Sequence, residues 1–204
     1  MTQQIALATQ NKGKIAEFQR LLAEHTSSVE VLGLAEFPDM PDVDETGTTF
    51  AENSLLKARA VSAFTGLPAL ADDSGLCIDF LGGAPGIYSA RYAGSHGNDG
   101  ANIAKVLAEL QNEEQRSAHF ICVVAMTFPV GHKNHGTEII QEGKLQGSIV
   151  QQPRGTAGFG YDPIFCPDGY ELTLGEFGPG EKDRISHRGK ALRAIAPQIS
   201  GLLS

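Results

Sequence analysis

Two neighbouring carboxylates, Asp72 and Asp73, stand where the apolar run Ala69, Leu70, Ala71 stops, and Ser74 and Gly75 follow them. A second apolar run, Leu76 to Phe80, leads into a glycine-rich loop at Gly82, Gly83, Pro85 and Gly86. Like charges this close drive each other's pKa apart unless a cation lies between them. Such a pair can hold a metal ion or take up a proton. A solvated turn between two strands accounts for Asp-Asp-Ser-Gly as well, so the tract by itself leaves both readings open.

Cations that could serve those acids cluster in two places. The first is Thr9, Gln10, Asn11, Lys12, Gly13, Lys14, a strand-to-helix turn in which Asn11 is a candidate N-cap. Free backbone N–H groups, the helix dipole and two lysines make such a turn an anion site, and a capped helix with solvated lysines is the plainer alternative. It is not a Walker A loop, because Ala8 falls where the first glycine belongs and Ile15 replaces the Ser/Thr. The second cluster runs from Lys182 through His187 and Arg188 to Arg193. There Ser186 is a candidate cap, and cations in a first helical turn oppose the dipole unless an anion or polar ligand sits with them.

Further polar groups need positioning. Thr49 and Glu52 form a capping-box pattern, which accounts for Glu52 but not for the acids Asp42, Asp44 and Glu45 before it. Asn53 and Lys57 are spaced i, i+4, on one face of the helix so opened. Phe159-Gly160-Tyr161-Asp162 can stack a planar base or be ordinary core. His132 and His135 have HxxH spacing but sit in a Gly/Pro-flanked hairpin loop without a third ligand, so no metal is expected there.

Strands are expected at 4–9, at 29–34, on either side of Asp72 to Gly75, at 118–128 in a central position, at 137–141, at 144–149 and at 163–165. Helices are expected from the stripes Ile15, Phe18, Leu21, Leu22, then Phe50, Leu55, Ala58, Val61, then Ile103, Val106, Leu107, Leu110 behind a cap at Asp99, and finally Leu192, Ile195, Ile199, Leu202. With 204 residues and 41% apolar content the chain can build one sizeable core. Cys77, Cys122 and Cys166 are odd in number and set among apolar residues, as in a reducing, cytoplasmic interior. A net charge of −8 argues against nucleic acid as a partner. The amino terminus lacks signal-peptide character, and no apolar run reaches the roughly 18 residues of a membrane span, so no membrane partner is expected.

Taken together the motifs resemble the HAM1-like family, the inosine triphosphate pyrophosphatases. The resemblance rests on Thr9 to Lys14, Glu45-Thr-Gly47, Thr49 to Asn53, Ala71 to Gly75, Gly82 to Tyr92, Gly158 to Pro163, Glu181-Lys182 and Ile185 to Gly189. Gln10 departs from the family's usual glycine, and Asp44-Glu45 from its usual pair of glutamates. The resemblance implies an elongated α/β fold, with a long twisted mixed sheet and flanking helices forming two lobes around a central cleft, over one domain spanning 1–204. It implies Mg²⁺-assisted hydrolysis of deaminated purine nucleoside triphosphates (ITP, dITP, XTP) to monophosphate and pyrophosphate, by a homodimer.

By motif match, Thr9, Gln10, Asn11, Lys12, Gly13 and Lys14 hold the triphosphate, and Asp73 is the general base. The metal candidates are Asp44, Glu45, Asp72 and Asp73. Asn53, Lys57 and Ser74 contact substrate, and Phe159, Gly160, Tyr161, Asp162, Lys182, His187 and Arg188 form the base pocket. Two alternatives remain at this level: a Maf-like pyrophosphatase of modified pyrimidine nucleotides, and a nucleotide sensor without turnover.

Overall fold

The computed structural model describes residues 3–23 and 29–203, without the side chains of residues 12 and 179. Six strands, β1 (Gln3–Leu7), β2 (Val29–Gly33), β3 (Ala69–Ile78), β4 (Ser117–Thr127), β5 (Glu138–Ile149) and β6 (Phe165–Pro167), form one mixed sheet in the order β2-β1-β3-β4-β5-β6. β1 runs parallel to β2 and to β3, whereas β5 and β6 are antiparallel. The helices are α1 (Lys12–Ala23), α2 (Phe50–Thr65), α3 (Asp99–Glu109), α4 (Pro179–Ile185) and α5 (His187–Leu203). The arrangement is α/β, as the alternation of strand and helix patterns implies.

By its internal contacts the chain divides into two compact units. One comprises the residues up to Asp73, Cys122–Gly143 and those from Arg188 onward. Its core packs Phe18, Leu21 and Leu22 of α1 and Leu192, Ile195 and Ile199 of α5 with Ile5, Leu7, Leu70, Val124 and Met126 of the strands. The other comprises Ser74–Ile121 and Lys144–His187. There Val106 and Leu110, at the α3 stripe, pack with Leu76, Ile78, Phe120, Leu145, Tyr161 and Phe165.

Local chemistry explains the element ends that matter for the site. Asn11 caps α1, its Oδ1 accepting from Gly13 and Lys14 N–H at 2.9 and 3.1 Å. Thr49 and Glu52 form the reciprocal capping box of α2. Gly66 closes that helix in the left-handed region (φ 68°), a conformation glycine adopts without a Cβ clash.

Four expectations are corrected. Asp72 to Gly75 is not a turn: β3 runs unbroken from Ala69 to Ile78 with both acids buried in mid-strand. A turn would be needed only if those charges required water, and protein cations replace it. β5 is likewise one strand rather than two, with buried and exposed residues alternating from Gly143 to Ile149. Residues 162–164 form a 3₁₀ turn that precedes β6, because Pro163 cannot donate to a ladder. Asn98, not Asp99, caps α3, its side chain accepting from Ala101 N–H, and Asp99 is turned to another use. Ser186 stays at the expected place, directly before α5, with α4 ending on its other side.

Candidate active site

The first unit gathers an acid–base cluster from four separated stretches. β3 supplies Asp72 and Asp73, α1 supplies Lys14 and Glu17, α2 supplies Asn53 and Lys57, and the start of α5 supplies Arg188. Alternation along a strand sends neighbouring side chains to opposite faces, so the two acids meet different partners.

Asp72 is buried, and its Oδ2 lies 2.9 Å from Lys14 Nζ and 3.5 Å from Arg188 Nε. Burial on its own would raise this carboxyl's pKa. Lys14, Arg188 and Lys57 outweigh burial and hold it well below the usual carboxylate range. Arg188 is fully buried, and Nη1 of its guanidinium donates to Glu17 Oε2. The Cys122 thiol, 3.9 Å from Asp72 Oδ2, is pushed upward by burial and by that neighbouring carboxylate, so it stays protonated.

Asp73 is buried on the other side of the strand. Its Oδ2 accepts from Asn53 Nδ2 at 3.1 Å, and its Oδ1 lies 3.3 Å from Lys57 Nζ. The same ammonium lies 2.6 Å from Glu45 Oε1, so one lysine serves two carboxylates. Burial raises the Asp73 pKa, and the pull of Lys57 is insufficient to cancel it while Glu45 adds repulsion. Lys57 itself is disfavoured as a cation by burial, but Asp73, Asp72 and Glu45 raise its pKa, and it stays charged.

Asn53 also ties the Glu45 loop to this carboxylate. Its Oδ1 accepts from Gly47 N–H at 2.8 Å, and a Cβ at Gly47 would come within 2.6 Å of that oxygen. Glycine is needed there for close approach. Of the other expected ligands, Asp44 is exposed, and Gln10 Nε2 lies 3.5 Å from Asp42 Oδ1. Thr9 Oγ1 accepts from Asn11 N–H at 3.2 Å and so shapes the turn, while Gly13 is exposed and Ser74 half-buried. The Lys12 side chain lies outside the described residues.

The second unit gathers aromatic and charged groups around residues 159–162. Asp162 Oδ2 accepts from Phe159 N–H at 2.8 Å and from Lys182 Nζ at 2.6 Å, a buried ion pair. The same ammonium lies 4.8 Å from the centre of the Phe159 ring, within cation–π range. Gly160 N–H donates to Asp99 Oδ2 at 2.7 Å, and Tyr161 OH donates to Ser89 O at 2.8 Å. Burial, with Tyr92 and Asp99 nearby, pushes the Tyr161 phenol up, so it remains a neutral donor. His187 stacks on Phe120, ring centres 4.7 Å apart and planes 9° from parallel.

Sequence reasoning missed Glu17, Asp99, Ser89 and Phe120. A usable signal existed for Glu17, an acid beside Phe18 and four residues before Leu21 on the apolar side of α1. His132 and His135 serve the hairpin: His132 stacks on Phe128, and His135 Nδ1 lies 3.3 Å from Phe128 O.

Among the described residues no group of three or more His, Cys, Asp or Glu side chains is arranged to hold a metal ion. The fit of a cation must be judged on Glu45 and Asp73, two oxygen donors converging on Lys57. Because the charge on Asp73 is under-compensated in this arrangement, a hard divalent ion suits the pair. Mg²⁺ typically takes one or two protein carboxylates and completes its shell with water and phosphate. Asp72, already engaged by two cations, does not suit that part.

A family model described as the Ham1 family matches residues 5–198. A dITP/XTP pyrophosphatase of Streptomyces avermitilis is 51% identical over 201 residues, covering 98% of each chain. Another protein of that name, from Geobacillus kaustophilus, is 49% identical, over 96% of this chain and 93% of its own. Among solved structures, a HAM1 protein from Coxiella burnetii superposes with a TM-score of 0.86 at 44% identity, covering 98% of this chain and 99% of that one. The Staphylococcus aureus Ham1 protein gives 0.83 at 38% identity, with coverage of 98% and 99%.

Proposed function

The chain belongs to the Ham1 family, and from that premise we propose that it hydrolyses deaminated purine nucleoside triphosphates, dITP, ITP and XTP, to the monophosphate and pyrophosphate. The substrate class follows the names of the relatives, which match over nearly the full chain. The observation that carries the chemistry is the meeting of Lys14, Lys57, Glu45 and Asp73 within one compact unit.

A triphosphate's negative charge repels an incoming hydroxide. Lys14 and Lys57, with the N–H groups opening α1, offset that charge. Asp73 orients a water and accepts its proton as the oxygen attacks the α-phosphorus. Asn53 fixes one oxygen of Asp73, leaving the other beside Lys57 to face the water. A carboxylate whose anionic form is disfavoured by burial is a better proton acceptor than an exposed one. Glu45 and Asp73 would hold Mg²⁺, which when bound supplies positive charge to the phosphate oxygens.

The second cluster is assigned to the base. Phe159 offers a stacking face, and Lys182 and His187 offer donors to the C6 keto oxygen of hypoxanthine or xanthine. Adenine presents an amino group there and would leave those donors unpaired, at about 1–3 kcal/mol each. Two such losses give discrimination on the order of 10–10⁴. Arg188, engaged by Glu17 and Asp72, is assigned to the phosphate side instead.

Both units belong to one functional domain in this reading, acting as a homodimer in the cytoplasm. Its three cysteines, all free thiols, suit a reducing compartment. Among the described residues no helix is long and apolar enough to cross a membrane.

The test is pyrophosphate release from ITP, XTP, dITP, ATP, GTP and modified pyrimidine triphosphates, with Mg²⁺ and with chelator. ITP, dITP and XTP are expected to lead ATP by at least tenfold and only with the ion. ATP turnover equal to ITP, or release of orthophosphate, would refute the assignment.

A further inference from the structure

Glu17 is an acid inside the apolar face of α1, only 3% exposed, one helical turn from Lys14. Its carboxylate is bound to the guanidinium of Arg188, itself only 2% exposed. Arg188 therefore reaches two acids at once, Glu17 through Nη1 and Asp72 through Nε. Lys14 reaches the same Oδ2 of Asp72 that Arg188 does, at 2.9 Å against 3.5 Å. Two cations thus share one buried oxygen, and the lysine holds the nearer position.

Guanidinium groups favour a two-pronged grip on a single carboxylate. With nothing on its far side, Arg188 would close onto Asp72 in that manner and displace the lysine. We infer that Glu17 is a positioning residue for Lys14: by holding Arg188 from behind it keeps Asp72 available to the lysine ammonium. The four charges, two acids and two bases, balance, which lets them be buried together. Lys14, with its side chain 18% exposed, is the only one of the four that also reaches solvent appreciably. The other three form the socket that aims it. The inference rests on the proposed role of Lys14 as a phosphate contact.

The test is a double-mutant cycle of Glu17→Gln with Lys14→Ala, read as KM for ITP, kcat and inhibition by IMP. Glu17→Gln keeps the shape and a hydrogen bond to Arg188 but removes the charge. It is expected to raise KM about five- to tenfold, the coupling typical of one charged network, with kcat within about twofold and IMP inhibition unchanged. In the Lys14→Ala background the same change should add less than about twofold. A merely structural role would lower thermal stability in both backgrounds but would multiply, not merge, the two KM effects. Should Glu17→Gln fail to fold, Glu17→Asp carries the same cycle with a smaller KM rise. Independent multiplication of the effects, or an unchanged KM in a folded variant, overturns the inference while leaving the phosphate role of Lys14 intact. If Lys14→Ala weakens ITP and IMP equally, the phosphate reading itself fails and this inference falls with it.

Discussion

Adjacent residues of one strand, Asp72 and Asp73, should respond in opposite ways to loss of charge. Replacing Asp72 by Asn removes a carboxylate shared by Lys14 and Arg188, whose nitrogens stand 2.9 and 3.5 Å from Oδ2. Breaking a buried pair from one side costs about 3–5 kcal/mol. Arg188 keeps Glu17, and Lys14 can turn toward water, so the lower end applies. For a chain of this size about 3 kcal/mol lowers Tm by roughly 6–12 °C. Replacing Asp73 by Asn removes a carboxylate whose pKa is raised, mainly by burial, while Asn53 keeps an oxygen to donate to and Lys57 keeps Glu45.

The signs differ with pH as well. The folded pKa of Asp72 is depressed, so its contribution is full above the unfolded value of about 3.9 and is lost as pH falls through the folded value. The folded pKa of Asp73 is raised, so between the unfolded value and the folded one the native state binds the extra proton. Stability attributable to Asp73 therefore rises as pH falls into that window. The assay is thermal unfolding in chelator at neutral pH and in steps down through the carboxylate range. Asp72→Asn should melt far below the parent at neutral pH, while Asp73→Asn melts at or above it, turns over no ITP and lacks the rise on mild acidification. If Asp73→Asn is as destabilised as Asp72→Asn, the division of roles between the two acids is wrong.

Three further outcomes are expected. Gly47→Ala places a methyl 2.6 Å from Asn53 Oδ1 and should cut kcat for ITP at least tenfold, with a smaller effect on Tm. Its activity remaining at parent level would remove Asn53 as the link between the Glu45 loop and Asp73. Lys182→Gln breaks the 2.6 Å pair with Asp162 and should narrow the ratio of kcat/KM for ITP over ATP by about tenfold or more. An unchanged ratio in a folded protein would exclude Lys182 from base selection. Thr49→Ala removes the α2 cap and should cost about 1 kcal/mol in urea unfolding, with KM for ITP unaltered, because the capping box touches no proposed ligand group.

Where side chains act on their own neighbours, the linear chain was sufficient. Asn11 at the start of α1 and the Thr49–Glu52 box of α2 are short-range hydrogen bonds, and their donors and acceptors lie within a few residues. The apolar stripes of α1, α2, α3 and α5 follow from helical periodicity, and the same periodicity put Asn53 and Lys57 together on one face, where both reach Asp73. Family membership too was legible, since ordered motifs survive without coordinates.

What folding alone decided is which charge faces which. Asp-Asp-Ser-Gly has turn composition, and only the arrival of Lys14, Lys57 and Arg188 from distant stretches makes an unbroken buried strand tolerable there. Arg188 follows His187 directly in sequence, yet its guanidinium is bound by Glu17, 171 residues earlier. Asp99 looked like a helix cap, and the 3D neighbour Gly160 redirects it. Coulomb and desolvation energies depend on through-space distance and burial, and sequence separation sets neither.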